Sequence, residues 1–219
     1  MLLSGTIFNP SNASSADGTT NAVNQGRANE MLVAELHGKY FTQCYRGNVF
    51  YSSTASGGVI IPISTTLTPT YSVWNPSGSG KLLVPITLYV GWTATTAALG
   101  SILWTSTTNA GSGLSSLSGF SAFGSSTTAN GNLGAGNASV MRVASGGTTT
   151  LIAAGTVYRS TGFSITATTA ATSVAPGWTW RDDYDGSMII PPGNAVHLMA
   201  PTAIAITAEV TLVWAEVPL

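Results

Sequence analysis

Two long segments of the chain alternate between apolar and polar positions. In Leu82–Thr93 every second residue from Leu82 to Trp92 is apolar, and Ile204–Val217 repeats the pattern from Ile204 to Trp214. Because successive side chains of a strand point to opposite faces, a period of two predicts a strand with one buried face. These segments therefore predict two long strands of a half-buried sheet.

Ten shorter runs have the composition of strands, because Val, Ile, Thr and aromatic residues suit a pleated surface. Asn75–Gly80 and Pro191–Asn194 contain the residues that favour turns between such runs. The ten predicted strands are Val49–Ser53, Gly58–Ile63, Tyr71–Trp74, Ser101–Thr107, Ser139–Val143, Thr149–Ala154, Gly162–Thr169, Trp178–Arg181, Ser187–Ile190 and Ala195–Ala200.

The beginning of the chain differs from this pattern. Met1–Gly26 is rich in Asn, Ser, Thr and Gly, which predicts an extended arm. Arg27–Tyr40 has apolar residues at helical spacing and a favourable Glu35–Lys39 pair, which predicts one helix. We expect the apolar side chains of the arm and helix to dock on a neighbouring protein: Leu2, Leu3, Ile7, Phe8, Met31, Leu32 and Leu36.

The order of these elements predicts an all-β fold. Many short strands after one short helix favour a β-sandwich of the jelly-roll or a related Greek-key type. Ala110–Asn137 is rich in Gly and Ser and is predicted to be a long exposed loop. We therefore divide the chain into an arm-and-helix region at 1–47, which makes docking or oligomer contacts, and a sandwich domain at 48–219.

Charge is scarce in this chain. Lys and Arg number 7 and Asp and Glu number 8, so charged residues make up 7% of 219 positions, against about 25% in an average protein. None lies between Lys81 and Arg142. Few scattered basic residues argue against nucleic acid and against an electrostatic membrane surface as partners. A neutral surface suits a protein that is packed against copies of itself or another protein.

The densest charge cluster is Arg181–Gly186. Asp183 and Asp185 could share one face and supply oxygen ligands to Ca²⁺, but the spacing of a known calcium loop is absent. Adjacent carboxylates on a strand point to opposite faces, so Asp182 and Asp183 do not form the acid–base pair of a glycosidase. The favoured interpretation is a solvated turn with Arg181 as a partner and with no bound metal.

Other candidate residues have structural interpretations beside the functional ones. Trp178 and Trp180 share a face and could stack on a glycan, although burial is the ordinary role of a strand tryptophan. His197 lies in an apolar strand and is expected to be a core or interface histidine, and Cys44 a small buried apolar residue. Gly78–Lys81 lacks the other residues of a phosphate-binding loop. No catalytic constellation or cofactor site is predicted, so we expect a protein that is not an enzyme.

Four segments carry a resemblance to a known class of proteins: GRANEMLVAELHGKYFTQCYRG at 26–47, VWNPSGSGKLLV at 73–84, DGSMIIPPGNAVHLMA at 185–200 and LVWAEVPL at 212–219. In pattern and composition the chain resembles virion structural proteins of tailed bacteriophages, of the small all-β kind that decorate capsids or build fibres. The resemblance implies a homotrimeric jelly roll whose N-terminal region grips the shell. It transfers no catalytic residue.

The first functional hypothesis is a capsid decoration or cement protein, which bridges and stabilises major capsid subunits. Its partners would be copies of itself and the major capsid protein or other virion proteins, with neither nucleic acid nor membrane. The alternative is a head or tail fibre module that contacts host glycans through Trp178 and Trp180. No signal-peptide pattern is present, so we expect synthesis in the host cytoplasm and a final place on the capsid surface.

Overall fold

The computed structural model describes residues 38–95, 101–108, 128–145, 151, 154–161, 179–202 and 206–219. The chain divides into two compact units, Met1–Phe41 and Thr42–Leu219. The predicted arm, and with it all seven predicted docking residues, lies outside the described residues, as does most of the predicted helix. The following description concerns the second unit, apart from Gly38–Phe41.

The described residues form one short helix and eleven strands. The helix α1 is Phe41–Tyr45. The strands are β1 Val49–Ser53, β2 Val59–Ile60, β3 Tyr71–Asn75, β4 Lys81–Thr95, β5 Ile102–Thr108, β6 Thr128–Asn130, β7 Arg142–Ser145, β8 Thr156–Thr161, β9 Thr179–Asp183, β10 Asn194–Met199 and β11 Ile206–Pro218.

The strands form two antiparallel sheets that pack against each other. Sheet 1 has the order β6-β1-β11-β4-β9, with β2 also paired to β11, and sheet 2 has the order β7-β3-β10-β5-β8. Four pairs are nested along the chain: β1 with β11, β3 with β10, β4 with β9, and β5 with β8. This nested antiparallel pairing over two sheets is the arrangement of a jelly roll. The predicted all-β sandwich is confirmed.

The core lies between the two sheets and takes alternate residues from the longer strands, such as β5, β10 and β11. Its largest fully buried side chains include Trp104 of sheet 2 and Trp214 of sheet 1. The ring of Phe50 stacks on that of Trp214 at a centroid distance of 6.2 Å. Aromatic side chains bury more apolar area than any others, so these three residues supply a large share of the core.

The two long predicted strands, β4 and β11, are confirmed and pair with each other along most of their lengths. The predicted apolar face of β4 is wrong at its start, because Leu83, and not Leu82 or Val84, belongs to the core together with Leu88 and Val90. Their register shifts between Val213 and Trp214, where Pro85 lies opposite Trp214. Proline has no backbone N–H and cannot donate to the ladder, so a local irregularity at this position is expected.

Several predicted boundaries are wrong. Gly38–Tyr40 is a turn and not the end of a helix, and the helix begins at Phe41. Of Gly58–Ile63 only Val59–Ile60 is a strand, since Pro62 interrupts the run. Ser187–Ile190 is not a strand; Ile190 makes only an isolated bridge to Leu83. Ser139–Val143 is correct only from Arg142 onward.

Two strands were not predicted. Thr128–Asn130 falls inside the predicted loop and adds β6 to the edge of sheet 1 beside β1. Thr156–Thr161 forms β8 at the edge of sheet 2. In the predicted strand Thr149–Ala154, the described residues Leu151 and Ala154 are not in strands, and Gly162–Thr169 lies outside the described residues.

Candidate functional site

A buried carboxylate lies at one end of the core. Glu216 of β11 is paired across the sheet with Leu83 and its side chain is fully buried. It accepts a hydrogen bond from the Ser139 hydroxyl and one of 3.2 Å from the Val140 amide. Lys81 approaches it at 2.9 Å between Nζ and Oε2. The Glu216 side chain thus ties the segment before β7 to the last strand.

A second ion pair, unlike the first, connects the two sheets. Arg159 of β8 contacts Asp182 of β9 at 3.0 Å between Nη2 and Oδ1. The guanidinium carbon of Arg159 lies 4.8 Å from the centre of the Tyr184 ring. The Tyr184 hydroxyl accepts a hydrogen bond of 2.6 Å from the indole of Trp104. Burial raises the pKa of Tyr184 above its ordinary value, so this hydroxyl stays neutral. Arg159, Asp182, Tyr184 and Trp104 thus link the two sheets at the edge formed by β8 and β9.

The two candidate calcium ligands lie at the end of β9, at Asp183, and in the turn that follows it, at Asp185. Asp183 Oδ1 accepts hydrogen bonds of 2.9 Å from Arg181 Nε and 2.7 Å from the Thr87 hydroxyl. Asp185 is exposed in the following turn and has a φ of 45°. Within the part of the chain that the structure describes, no three His, Cys, Asp or Glu side chains form a group that could hold a metal ion. Asp183 instead pairs with Arg181 on the outward face of sheet 1.

The predicted structural role of His197 agrees with its surroundings. Its imidazole is completely buried on the outward face of sheet 2. Nδ1 lies 2.8 Å from the Ser72 hydroxyl and Nε2 lies 2.9 Å from the Thr107 hydroxyl. Burial lowers the pKa of His197 to about 4, so the ring is neutral at pH 7. Ser72 and His197 are fully buried, and the described part of this group includes no carboxylate.

The remaining predicted site residues are placed as follows. Trp180 is half-buried and packs against the core, whereas Trp178 lies outside the described residues. Cys44 is half-buried rather than fully buried. A Cβ atom added to Gly131 would lie 3.1 Å from the Cys44 sulfur and 2.8 Å from the Tyr51 ring. Gly131 therefore permits a close contact between β6, β1 and the end of α1.

Sequence analysis missed Glu216 and Arg159 as important residues. A signal for Glu216 was present, because it continues the apolar face of the final alternating segment after Leu212 and Trp214. A charged residue in such a position requires buried partners. Arg159 had no comparable signal, since its partner Asp182 belongs to the opposite sheet.

An exposed apolar patch lies near the end of β11. Val217 is paired with Leu82, and the amide of Leu219 donates to Gly80. Ile189 lies on the other side of β4, where Ile190 and Leu83 exchange two backbone hydrogen bonds. The side chains of Ile189, Val217 and Leu219 are all exposed. We refer to these three residues as the C-terminal patch.

Among the described residues, no helix has the length and apolar character needed to cross a membrane. Comparison of the chain with models of protein families, with curated proteins and with solved structures finds no significant match.

Proposed function

We propose that this chain is a structural virion protein: a non-catalytic decoration or cement protein on the head of a tailed bacteriophage, acting as a homotrimer. The observation that carries the proposal is how the few charges are used. At least six of the eleven charged residues that the structure describes form ion pairs within the molecule, namely Lys81–Glu216, Arg159–Asp182 and Arg181–Asp183. Five other charged residues remain in the part of the chain that the structure describes, so its surface carries little charge.

A neutral surface favours permanent contact with other proteins. Burying a charge in an interface costs several kcal/mol unless a partner compensates it, whereas Ser, Thr and Ala surfaces lose little when water is removed. The C-terminal patch adds exposed apolar area of the kind found at protein interfaces. These features support a surface that packs against other subunits more than one that steers a soluble substrate.

The mechanism is mechanical. A stable interface of standard size buries about 1,600 Å², and cyclic symmetry lets one patch be used by every copy. In the proposed assembly the sandwiches pack into a trimer and the N-terminal region holds the shell. The docking residues remain those of the arm and helix, from Leu2 to Leu36. The protein bridges capsid subunits and opposes expansion of the shell.

Binding to phage heads tests the proposal. Heads purified from the parent phage and stripped of this protein are mixed with the full chain and sedimented. We expect saturable binding by the full chain and loss of binding on deletion of residues 1–26. A matched variant that keeps the arm length, with L2S, L3S, I7S and F8S together, should also fail to bind. Failure of the folded full chain to bind heads would contradict the proposal.

The arm variants have a separate control. Circular dichroism and the urea midpoint of each variant should match those of the full chain, because the described core lies within Thr42–Leu219. If the deletion variant binds heads as well as the full chain does, the docking assignment is wrong even though the decoration role stands. A cryo-EM map of the virion would then locate the contact.

A glycan-binding fibre module receives less support. It rests on Trp178 and Trp180, and Trp180 is half-buried against the core. A glycan array with W180A as the control variant distinguishes the two roles, since only the fibre module predicts a signal that this substitution removes.

A further inference from the structure

The outward face of sheet 1 is aliphatic at the end where β4 begins and β11 finishes. Leu83 and Glu216 are paired across these strands and are both buried on the inward side. Because successive side chains of a strand point to opposite faces, the residues before and after them point outward. The bridge between Ile190 and Leu83 places Ile189 outward beside β4. The outward aliphatic residues at this end are Leu82, Val84, Ile189, Ala215 and Val217.

These side chains form a continuous surface across neighbouring strands. Val217 lies opposite Leu82, and Ala215 lies opposite Val84. Leu82 and Val84 are half-buried, whereas Val217 and Ile189 are exposed. The C-terminal patch is therefore the most exposed part of a larger aliphatic surface. A contiguous apolar surface of this kind marks a site of contact with another molecule.

The charges near the C-terminal patch are balanced. Lys81, at the start of β4, is neutralised by the buried glutamate of β11 at 2.9 Å. Arg181 and Asp183 lie farther along the outward face and pair with each other at 2.9 Å. Glu209, eight residues before Val217 on β11, is about 26 Å from it along the strand. In the part of the chain that the structure describes, this end of sheet 1 thus offers an apolar surface without net charge.

This balance of charge indicates which partner can cover the patch. A surface on a symmetry axis meets its own copies, so a net charge there would bring like charges together and oppose association. Nucleic acid and anionic lipid each require an excess of basic side chains, which the described part of this surface does not supply. Arg181 and Asp183 provide one cation and one anion on the same face, so a second copy brings the complement of each. The partner that fits is another copy of this chain.

We propose that the C-terminal patch lines the symmetry axis of the oligomer, where Val217 and Ile189 of each copy pack against the same surface of the others. This inference rests on the proposed homotrimer and assigns its subunit interface to the outward face of sheet 1. The arm residues stay assigned to the shell, so two different surfaces serve the two kinds of contact.

Analytical ultracentrifugation of the full chain tests the interface. The wild type should sediment at three times the 22.3 kDa of one chain. Val217→Asp places one carboxylate per copy at the axis, where the carboxylates lose water and repel one another. The protein concentration at which half of the oligomer dissociates should therefore rise about a hundredfold or more.

The matched control is Val157→Asp. Val157 is 56% exposed, against 42% for Val217, and belongs to the edge strand β8 of the other sheet. V157D should associate as the wild type does. The circular dichroism and urea midpoints of V217D and V157D should agree, because both substitutions replace an exposed valine. If V217D is unstable, Ile189→Asp gives the same test outside the strands.

Mixing two variants tests whether the patches face each other. V217D and V217K should each stay dissociated alone and should associate when mixed in equal amounts, because opposite charges then meet at the axis. Absence of recovery on mixing would overturn the interface. So would a V217D protein that associates as the wild type does, including one that has lost only its binding to phage heads, since the patch would then face the capsid.

These outcomes separate the interface from the proposed function. An associated V217D protein that still binds heads rejects the interface and leaves the decoration role intact. A wild-type trimer that V217D dissociates, but that does not bind heads, rejects the decoration role and keeps the interface. A wild type that sediments as a monomer rejects the interface and the homotrimer together.

Discussion

The two sheets of the sandwich differ in what lies on their outward faces. On sheet 1 the outward face carries exposed Tyr51 and Glu209 and the exposed Arg181–Asp183 pair. On sheet 2 the corresponding positions hold buried Trp74, His197 and Met199. The difference shows that inward and outward are not the same as buried and exposed in this fold. The outward face of sheet 1 is only partly buried, at residues such as Val49 and Val213, whereas the outward face of the central strands β3 and β10 of sheet 2 is buried throughout.

The largest expected effect separates the two outward faces directly. Met199→Ala on sheet 2 should lower the free energy of unfolding by about 2–4 kcal/mol, because it leaves a cavity in a closed environment. Tyr51→Ala on sheet 1 should lower it by about 1 kcal/mol or less, because Tyr51 is already partly hydrated. Urea unfolding of both variants measures the difference. Equal losses would show that the two faces are equivalent.

The next effect compares two glutamates on β11. Glu216→Gln removes the charge that Lys81, Ser139 and Val140 surround, and should reduce stability by about 2 kcal/mol. This figure is below that of a fully buried pair, because the Lys81 side chain is 30% exposed. Glu209→Gln, at an exposed position of the same strand, is the control and should leave the urea midpoint unchanged. A Glu216→Gln variant as stable as the wild type would contradict a buried ion pair.

The pH dependence of stability should reveal the buried histidine of sheet 2. The pKa of His197 is lowered by folding, so its contribution is complete above pH 6.5 and is lost as the pH falls toward 4. Relative to H197Q, the wild type should lose about 2 kcal/mol of unfolding free energy between pH 7.5 and pH 5. Urea titrations at the two pH values give this difference of differences, in which the carboxylates cancel. A pH-independent difference would contradict burial of the ring.

The smallest effect compares two aspartates of β9. Asp182→Asn weakens the pair that joins the sheets and should cost about 1 kcal/mol, since both members of the pair, Arg159 and Asp182, are partly screened by solvent. Asp183→Asn removes the exposed pair with Arg181 but keeps an amide oxygen that can accept the hydrogen bond from Thr87, so it should leave the thermal midpoint unchanged within error. If Asp183→Asn were the more damaging substitution, the cross-sheet pair would not contribute as inferred here.

The sequence predicted the long strand β11 of sheet 1 better than the fully buried strand β3 of sheet 2. In β11 the apolar face over Ala208, Val210, Leu212 and Trp214 is the core face, so the alternation is visible in the sequence. In β4 the same pattern is misleading near Pro85, because the inward positions change there from Leu88 and Val90 to Leu83. In β3, YSVWN, every position is buried, and Ser72 and Asn75 are satisfied by partners distant in sequence. A pattern of polarity does not reveal such burial, because the compensating groups are supplied only by the fold.

Short edge strands were predicted least well. β6 has three residues, Thr128–Asn130, and only its pairing with β1 distinguishes it from a loop. Asn130 is held by bonds from its amide to the carbonyls of Gly47 and Asn137. Gly47 and Asn130 are 83 residues apart in the sequence, so local propensity carries no information about their contact. The candidate ion pairs Arg159–Asp182 and Lys81–Glu216 were missed for this same reason of distance along the chain.

The position of β11 has a consequence for biosynthesis. It lies between β1 and β4 and pairs with both, although it is the last strand in the sequence. Until β11 has emerged from the ribosome, β1 and β4 each lack a neighbouring strand, and the apolar side chains that face Trp214 remain exposed to water. Such non-local pairing folds slowly and exposes strand edges to association with other chains. A nascent or truncated chain that ends before Ile206 should therefore depend on chaperones or aggregate, however complete sheet 2 already is.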